Sequence, residues 1–182
     1  MADLTFNTKA GAVVERKLLI LFLNTGTGDA PVWSAIGKRV EDSSMEYDWQ
    51  EESKQDVLGD THSTMRKPII KQTFDPCELD AGDAAQLKIW NLAVKDQDAA
   101  ALCNQDLLVV HTYAGDAETG VFAERYPASM VKPSGLGGSA NVAMPIDVTF
   151  GGKRAIGTAT VGDAGVTFVP EGAAAAAAGE EA

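Results

Sequence analysis

The sequence predicts a mainly β protein with one flanking α-helix, and three observations carry that reading. First, two segments alternate apolar and polar residues. Met45, Tyr47 and Trp49 alternate with Glu46, Asp48 and Gln50; Val142, Met144, Ile146, Val148 and Phe150 alternate with Asn141, Ala143, Pro145, Asp147 and Thr149. A period of two belongs to strands whose side chains point by turns to core and solvent. Second, one stretch behind Asp83 carries a helical stripe instead. Third, 18 glycines and only 7% aromatic residues, within a 45% hydrophobic and 23% charged composition, fit a turn-rich β protein that still has a core.

In chain order, Leu18-Leu19-Ile20-Leu21-Phe22-Leu23 is a buried strand: strongly apolar, yet far below the roughly 20 residues a membrane-spanning helix needs. The turn-rich loop Asn24 to Pro31 leads to a second strand around Val32 to Val40, with Gly37 inside it. A projecting hairpin follows. Its first arm runs through Met45, Tyr47 and Trp49, and its return arm is Met65 to Phe74. Pro68, which has no amide to donate inside a ladder, assigns that return arm to a sheet edge. Between the arms, Glu51 to Thr64 is polar apart from Val57 and Leu58, with Gly59-Asp60 as turn chemistry. Hairpin loops usually run about 2 to 5 residues, so a connection this long is expected to be functional or mobile.

Asp83 with Gln86 three residues on reads as a capping box that starts a helix near Ala84, running to about residue 97. Leu87, Trp90 and Val94 form its predicted packing stripe. A helical turn over Asp98 to Cys103 and a strand over Asp106 to Tyr113 follow. Gly151-Gly152 gives a two-residue hairpin signal between the alternating strand and a return strand at Lys153 to Val161. After the turn at residues 162–165 a last strand spans Val166 to Val169, and EGAAAAAAGEEA beyond Pro170 reads as a mobile low-complexity tail. The expected organisation is therefore one domain over residues 1–170, with a hairpin loop about 50–67, and a tail over 171–182.

A net charge of −11 and a pI near 4.5 argue against a surface that grips nucleic acid, since duplex affinity comes largely from cations that neutralise phosphates. Cys77 and Cys103 are too far apart for a readable disulfide or zinc pattern and are expected to be reduced core thiols. The N-terminus has no apolar stretch of the signal-peptide type, so folding in the cytoplasm is expected. His62 and His111 fall in no catalytic motif, and His111 reads as a strand residue with a satisfied imidazole. The glycines at 26 and 28, and at 135, 137 and 138, lack the Lys-Ser/Thr pair of a phosphate loop. Asp75, Glu78, Asp80 and Asp83 match no calcium loop, and capping already explains Asp83. No catalytic residue, cofactor or metal is assigned.

The stretch WSAIGKRVEDSSMEYDWQEESKQDVLGDT, the segment RKPIIKQTFDP, the capped LDAGDAAQLKIW helix and the C-terminal hairpin together resemble the major tail tube proteins of long-tailed (siphovirus-like) bacteriophages, over about Val14 to Pro170. The resemblance implies a β-sandwich or rolled β-barrel of the phage tail tube type. It implies a structural, non-enzymatic virion protein whose hexameric rings stack into a hollow tube for DNA ejection. Neighbouring sheets would join around an inner barrel, a use for an edge at Met65 to Phe74. The long loop would reach an adjacent ring, with Glu51, Glu52, Lys54, Gln55, Asp56, Val57, Leu58, Gly59, Asp60, Arg66 and Lys67 as candidate interface residues. The implied partners are further copies of the chain, with tape-measure, tail-tip or baseplate and tail terminator proteins. DNA would pass through the lumen without specific binding, and nothing would insert into a membrane. The protein would be assembled in the host bacterial cytoplasm. Six chains at −11 each carry a formal −66, and at a screening length of roughly 8 Å only lumen-facing carboxylates would act on the DNA. Two other readings stand beside it: a tube subunit of a contractile injection machine, and a monomeric β-sandwich binding or adhesion domain. A small hydrolase comes third.

Overall fold

The computed structural model describes residues 4–26, 30–116, 119–162 and 165–172. Eleven strands are present among them: β1 (Leu19–Asn24), β2 (Trp33–Ile36), β3 (Met45–Asp48), β4 (Glu52–Gln55), β5 (Thr61–Thr64), β6 (Ile69–Phe74), β7 (Gln105–Asp116), β8 (Gly120–Pro133), β9 (Ile146–Thr149), β10 (Ala155–Gly162) and β11 (Gly165–Pro170). Two short helices, α1 (Ala84–Trp90) and α2 (Ala99–Leu102), lie between β6 and β7. Nine strands form one antiparallel sheet in the order β2-β1-β7-β8-β9-β6-β3, with β10 attached to β8 and β11 to β10. The protein is therefore mainly β, of sandwich type.

The long strand β8 makes the sheet roll. Val121–Arg125 pair with β10, whereas Met130–Pro133 pair with β9, so β8 serves two layers along its length. The larger core lies between those layers and α1, and it gathers Leu21, Leu23, Leu107 and Val109 with Phe74, Val131, Ile146, Val148 and Ile89. On the other face, Phe22, Leu108 and Val110 join Trp33, Val121, Ala123 and Ala159, with Val166 and Phe168 of β11 packed against them. Because β1 and β7 are buried on both sides, their sequences read as unbroken apolar runs rather than alternations. Among the described residues no helix is long and apolar enough to cross a membrane.

Several expectations are corrected. The strand expected over Val32 to Val40 ends at Ile36, because Gly37 turns the chain out at a φ of +133°. Lys38 and Arg39 then reach Asp80, at 3.0 and 3.1 Å. The return arm β6 is not an edge: it pairs with β3 on one side and β9 on the other. Pro68 sits just before its first residue, so no ladder bond is lost, and the edge is β3. Gly151-Gly152 is no hairpin turn either. β9 and β10 do not pair with each other; the two glycines cross against the bend of β8, where a Cβ on either would collide with the backbone of Ala128.

The Asp83 cap is as the spacing implies: its side chain accepts from the Gln86 amide at 2.9 Å. The reciprocal arm of the box differs, because Gln86 Oε1 accepts from the Asp80 amide instead, at 2.7 Å. The buried face of α1 is Ala85, Gln86 and Ile89, whereas Leu87 is 55% exposed. At about 100° per residue Leu87 lies on the far side of the helix from Ala85. A π-helical turn over Asn91–Lys95 then alters the face before Val94 can extend the expected stripe. Cys77 is buried but Cys103 is exposed, so only one thiol belongs to the core.

Candidate assembly surface

The segment between β3 and β6 leaves the main sheet as a separate two-stranded ladder, β4 with β5. Backbone geometry at its root explains the departure. Gln50 takes a φ of +49°, rare for a residue with a Cβ, and its amide donates to the Asp48 side chain at 3.0 Å. Across the strands, Asp48 pairs with Ile69 but Glu52 pairs with Thr64, so the return arm carries one more residue than the outgoing arm. Such a bulge strengthens the local twist and re-aims the strands beyond it.

Every residue of this hairpin is exposed. Its fixed points are local: Ser53 and Ser63 hydroxyls meet at 2.8 Å, Lys54 pairs with Glu52 at 2.9 Å, and Gln55 Nε2 donates to the Gly59 carbonyl at 2.9 Å. Asp56 organises the turn. Its Oδ1 accepts from the amides of Leu58 and Asp60, at 2.8 and 3.0 Å, and its Oδ2 lies 3.2 Å from His62 Nε2. Those donors, the Asp60 amide and the His62 ring foremost, hold the Asp56 carboxyl below the usual carboxylate range. The turn so built presents Val57 at 101% and Leu58 at 85% exposure. An isolated two-stranded hairpin is marginal in water, and this one carries its two apolar tip residues uncovered by the rest of the described chain.

At the root of the hairpin lies an open groove of about 620 Å3, lined by Tyr47, Trp49, Lys67, Pro68, Ile70, Glu124, Tyr126, Phe150, Gly151, Gly152, Lys153 and Arg154. Tyr47 and Trp49 stack with ring centroids 6.4 Å apart. They form one wall, on and just beyond the edge strand β3, rather than the half-buried core face their alternation implied. The floor is a buried polar network around Glu124, which is 7% exposed. Glu124 accepts from Tyr126 Oη and Arg154 Nε, both at 2.6 Å, and lies 2.9 Å from His111 Nε2. His111 Nδ1 is in turn 2.8 Å from Tyr113 Oη, so the imidazole is satisfied on both nitrogens, as expected. Burial alone would raise the Glu124 carboxyl, but the bonds from His111, Tyr126 and Arg154 outweigh it and bring it to about 2. Burial and the Glu124 charge push the Tyr126 hydroxyl well above its ordinary value.

Of the candidate interface residues, Glu51, Glu52, Lys54, Gln55, Asp56, Val57, Leu58, Gly59 and Asp60 lie along the hairpin, from its root to its tip. Lys67 lies on the groove at the other end, and Arg66 sits at the root, where its amide donates to the Trp49 carbonyl at 2.9 Å. Lys153, Arg154, Glu124 and Tyr126 escaped sequence reasoning. A lone Glu in an apolar strand was the available signal, but only the β7–β8 and β8–β10 pairings bring His111 and Arg154 to it. Among the described residues no group of three or more His, Cys, Asp and Glu is placed to hold a metal ion.

No protein-family profile matches this chain, and no curated protein sequence does. Among solved structures it is similar to the anti-feeding prophage cap, a tube terminating cap, with a TM-score of 0.45 and 15% identity over 84% of this chain and 95% of that one. It is similar to the sheath/tube terminator of an extracellular contractile injection system in its extended state, with a TM-score of 0.46 and 9% identity over 81% and 98%. A chain of the extended sheath-tube complex of such a system overlaps with a TM-score of 0.45 and 13% identity, over 82% and 94%. Overlaps this loose carry no functional argument.

Proposed function

We propose that this chain is a structural subunit of a phage tail, which self-associates into hexameric rings that stack as a tail tube. The observation that carries this reading is the Val57-Leu58 tip, fully exposed at the end of a hairpin that buries none of its own residues. Residues of that kind contribute nothing to the isolated fold, so their burial belongs to an assembled state. The sequence resemblance over Val14 to Pro170 supports the same conclusion from a different direction. In this reading the hairpin, with Glu51, Glu52, Lys54 to Asp60, Arg66 and Lys67, is the docking element. Tape-measure, tail-tip and terminator proteins complete the tail, and DNA passes through the lumen without specific contacts. The chain acts as a conduit, not an enzyme.

Sheet continuity between subunits would use the edges that the nine-stranded sheet leaves open among the described residues, which are β2, β3 and β11. Negative-stain microscopy of the purified protein tests the proposal. Rings or tubes of uniform diameter are expected; a species that light scattering finds monomeric at every concentration, with tail partners present, refutes it.

A further inference from the structure

Resting on that self-assembly reading, we infer that the hairpin tip of one subunit seats in the aromatic, cationic groove at the hairpin root of a second copy. The two surfaces complement each other chemically. The tip offers Val57 and Leu58 between the carboxylates of Asp56 and Asp60, with no cation nearer in sequence than Lys54. The groove is lined by the exposed rings of Tyr47 and Trp49 and by the buried Phe150, with Lys67, Lys153 and Arg154 among its other residues. Arg154 is already engaged by Glu124. Lys67 and Lys153 are exposed and make no ion pair among the described residues, so cations are left for the tip carboxylate of Asp60, Asp56 being held by the turn amides and His62. The groove volume lies within the roughly 300–1,000 Å3 of sites that enclose small ligands, which suits a two-residue apolar tip.

The groove's own tip cannot fill it. From Glu52 to Gln55 the outgoing arm is extended and paired with its return, so at about 3.3 Å per residue the ladder alone holds the tip roughly 10 Å or more beyond its own root. The occupant is therefore another chain. The contact is heterologous: each subunit gives a tip and receives one, which leaves the next tip free and lets the contact propagate around a ring or from ring to ring. The tip acids and groove cations further fix which way round two copies meet, despite the net negative charge of both.

Cross-linking tests this. In a Cys103→Ser background, with Cys77 buried, single-cysteine variants Leu58→Cys and Lys67→Cys are mixed and oxidised. A tip-to-groove disulfide between the two variants is expected, identified by mass spectrometry of the linked peptides. Tip-to-tip links in Leu58→Cys alone, or tubes that form with no tip-to-groove link, overturn the inference while leaving self-assembly standing. Failure of the unmodified chain to assemble at all overturns the reading beneath it. Charge reversal supplies an independent arm. The exposed double variant Lys67→Glu/Lys153→Glu should keep its circular dichroism spectrum and lose at least about tenfold in association. Adding Asp60→Lys should restore it. Normal assembly of the double variant, or no recovery in the triple, rejects the pairing.

Discussion

Replacing Glu124 with Gln removes one buried charge while keeping the side chain's size, and the structure sets the size of the effect. In the folded chain the three donors hold the carboxyl at about 2, against 4.5 for an unperturbed glutamate. That difference amounts to roughly 3 kcal/mol of stability at pH 7, at about 1.4 kcal/mol for each tenfold change in proton affinity. The folded value lies below the unfolded one, so the contribution is complete above 4.5 and disappears as the pH falls toward 2. The amide can keep its oxygen toward Tyr126 and Arg154 and turn its NH2 toward His111, whose ring can change tautomer to accept from it. The loss then isolates the charge. Urea unfolding of the Gln variant and its parent should therefore differ by roughly 3 kcal/mol at pH 7, by about half of that at pH 3 and by little at pH 2. Both proteins should carry Val57→Ser/Leu58→Ser, so that assembly does not add to the apparent stability. A difference that stays constant from pH 7 to pH 3 would mean the loss is one of packing. A difference below about 1 kcal/mol at pH 7 would mean the network does not stabilise the fold.

Three further outcomes follow from the same geometry. Val57→Ser/Leu58→Ser should leave the urea midpoint of the unassembled chain within about 0.5 kcal/mol of the parent, since both residues are exposed, while tubes disappear from micrographs; unfolding of the variant would place the pair in the core instead. Gly151→Ala, whose Cβ would collide with the Ala128 carbonyl, should cost about 1–3 kcal/mol in thermal unfolding, whereas Gly135→Ala, with nothing within 4 Å of its Cβ, should be near neutral; equal effects would contradict the close approach at the β8 bend. Removing residues 173–182, which hold only Ala, Gly and Glu, should change neither folding nor ring formation by circular dichroism and microscopy.

What the sequence disclosed depended on whether a residue's role was local. The apolar run at Leu19–Leu23 and the Asp83 cap were legible because burial on both faces and capping each leave a mark within a few positions. The Gly151-Gly152 pair was not, because glycine serves a tight turn and a close approach equally well, and only β8 decides between them. The Met45-Tyr47-Trp49 alternation gave a strand correctly but not its surroundings. As an edge strand at the rim of a groove, β3 leaves Tyr47 45% exposed where an interior strand would have buried it. The hairpin was read as a polar loop because its strands bury nothing, which erases the periodicity that burial imposes. Glu124 was passed over for a further reason: a carboxylate is expected at the surface until a fold places three donors around it.

The open edges bear on how the chain can associate. β2 and β3 are each four residues long, and β3 carries Glu46 and Asp48 beside its exposed aromatics. Short, charged edges resist indiscriminate strand addition, because few ladder bonds form and like charges meet when two copies of the same edge approach. The hairpin's strands are each paired on one side only and are just four residues long, so what it chiefly offers a neighbour is the side chains at its tip. Association through Val57 and Leu58 can then be specific in position, with the edges pairing only after the tip has set the distance and direction between subunits. In the proposed assembly, that ordering would let a chain with a net charge of −11 and short open edges among its described residues associate only with a correctly oriented copy.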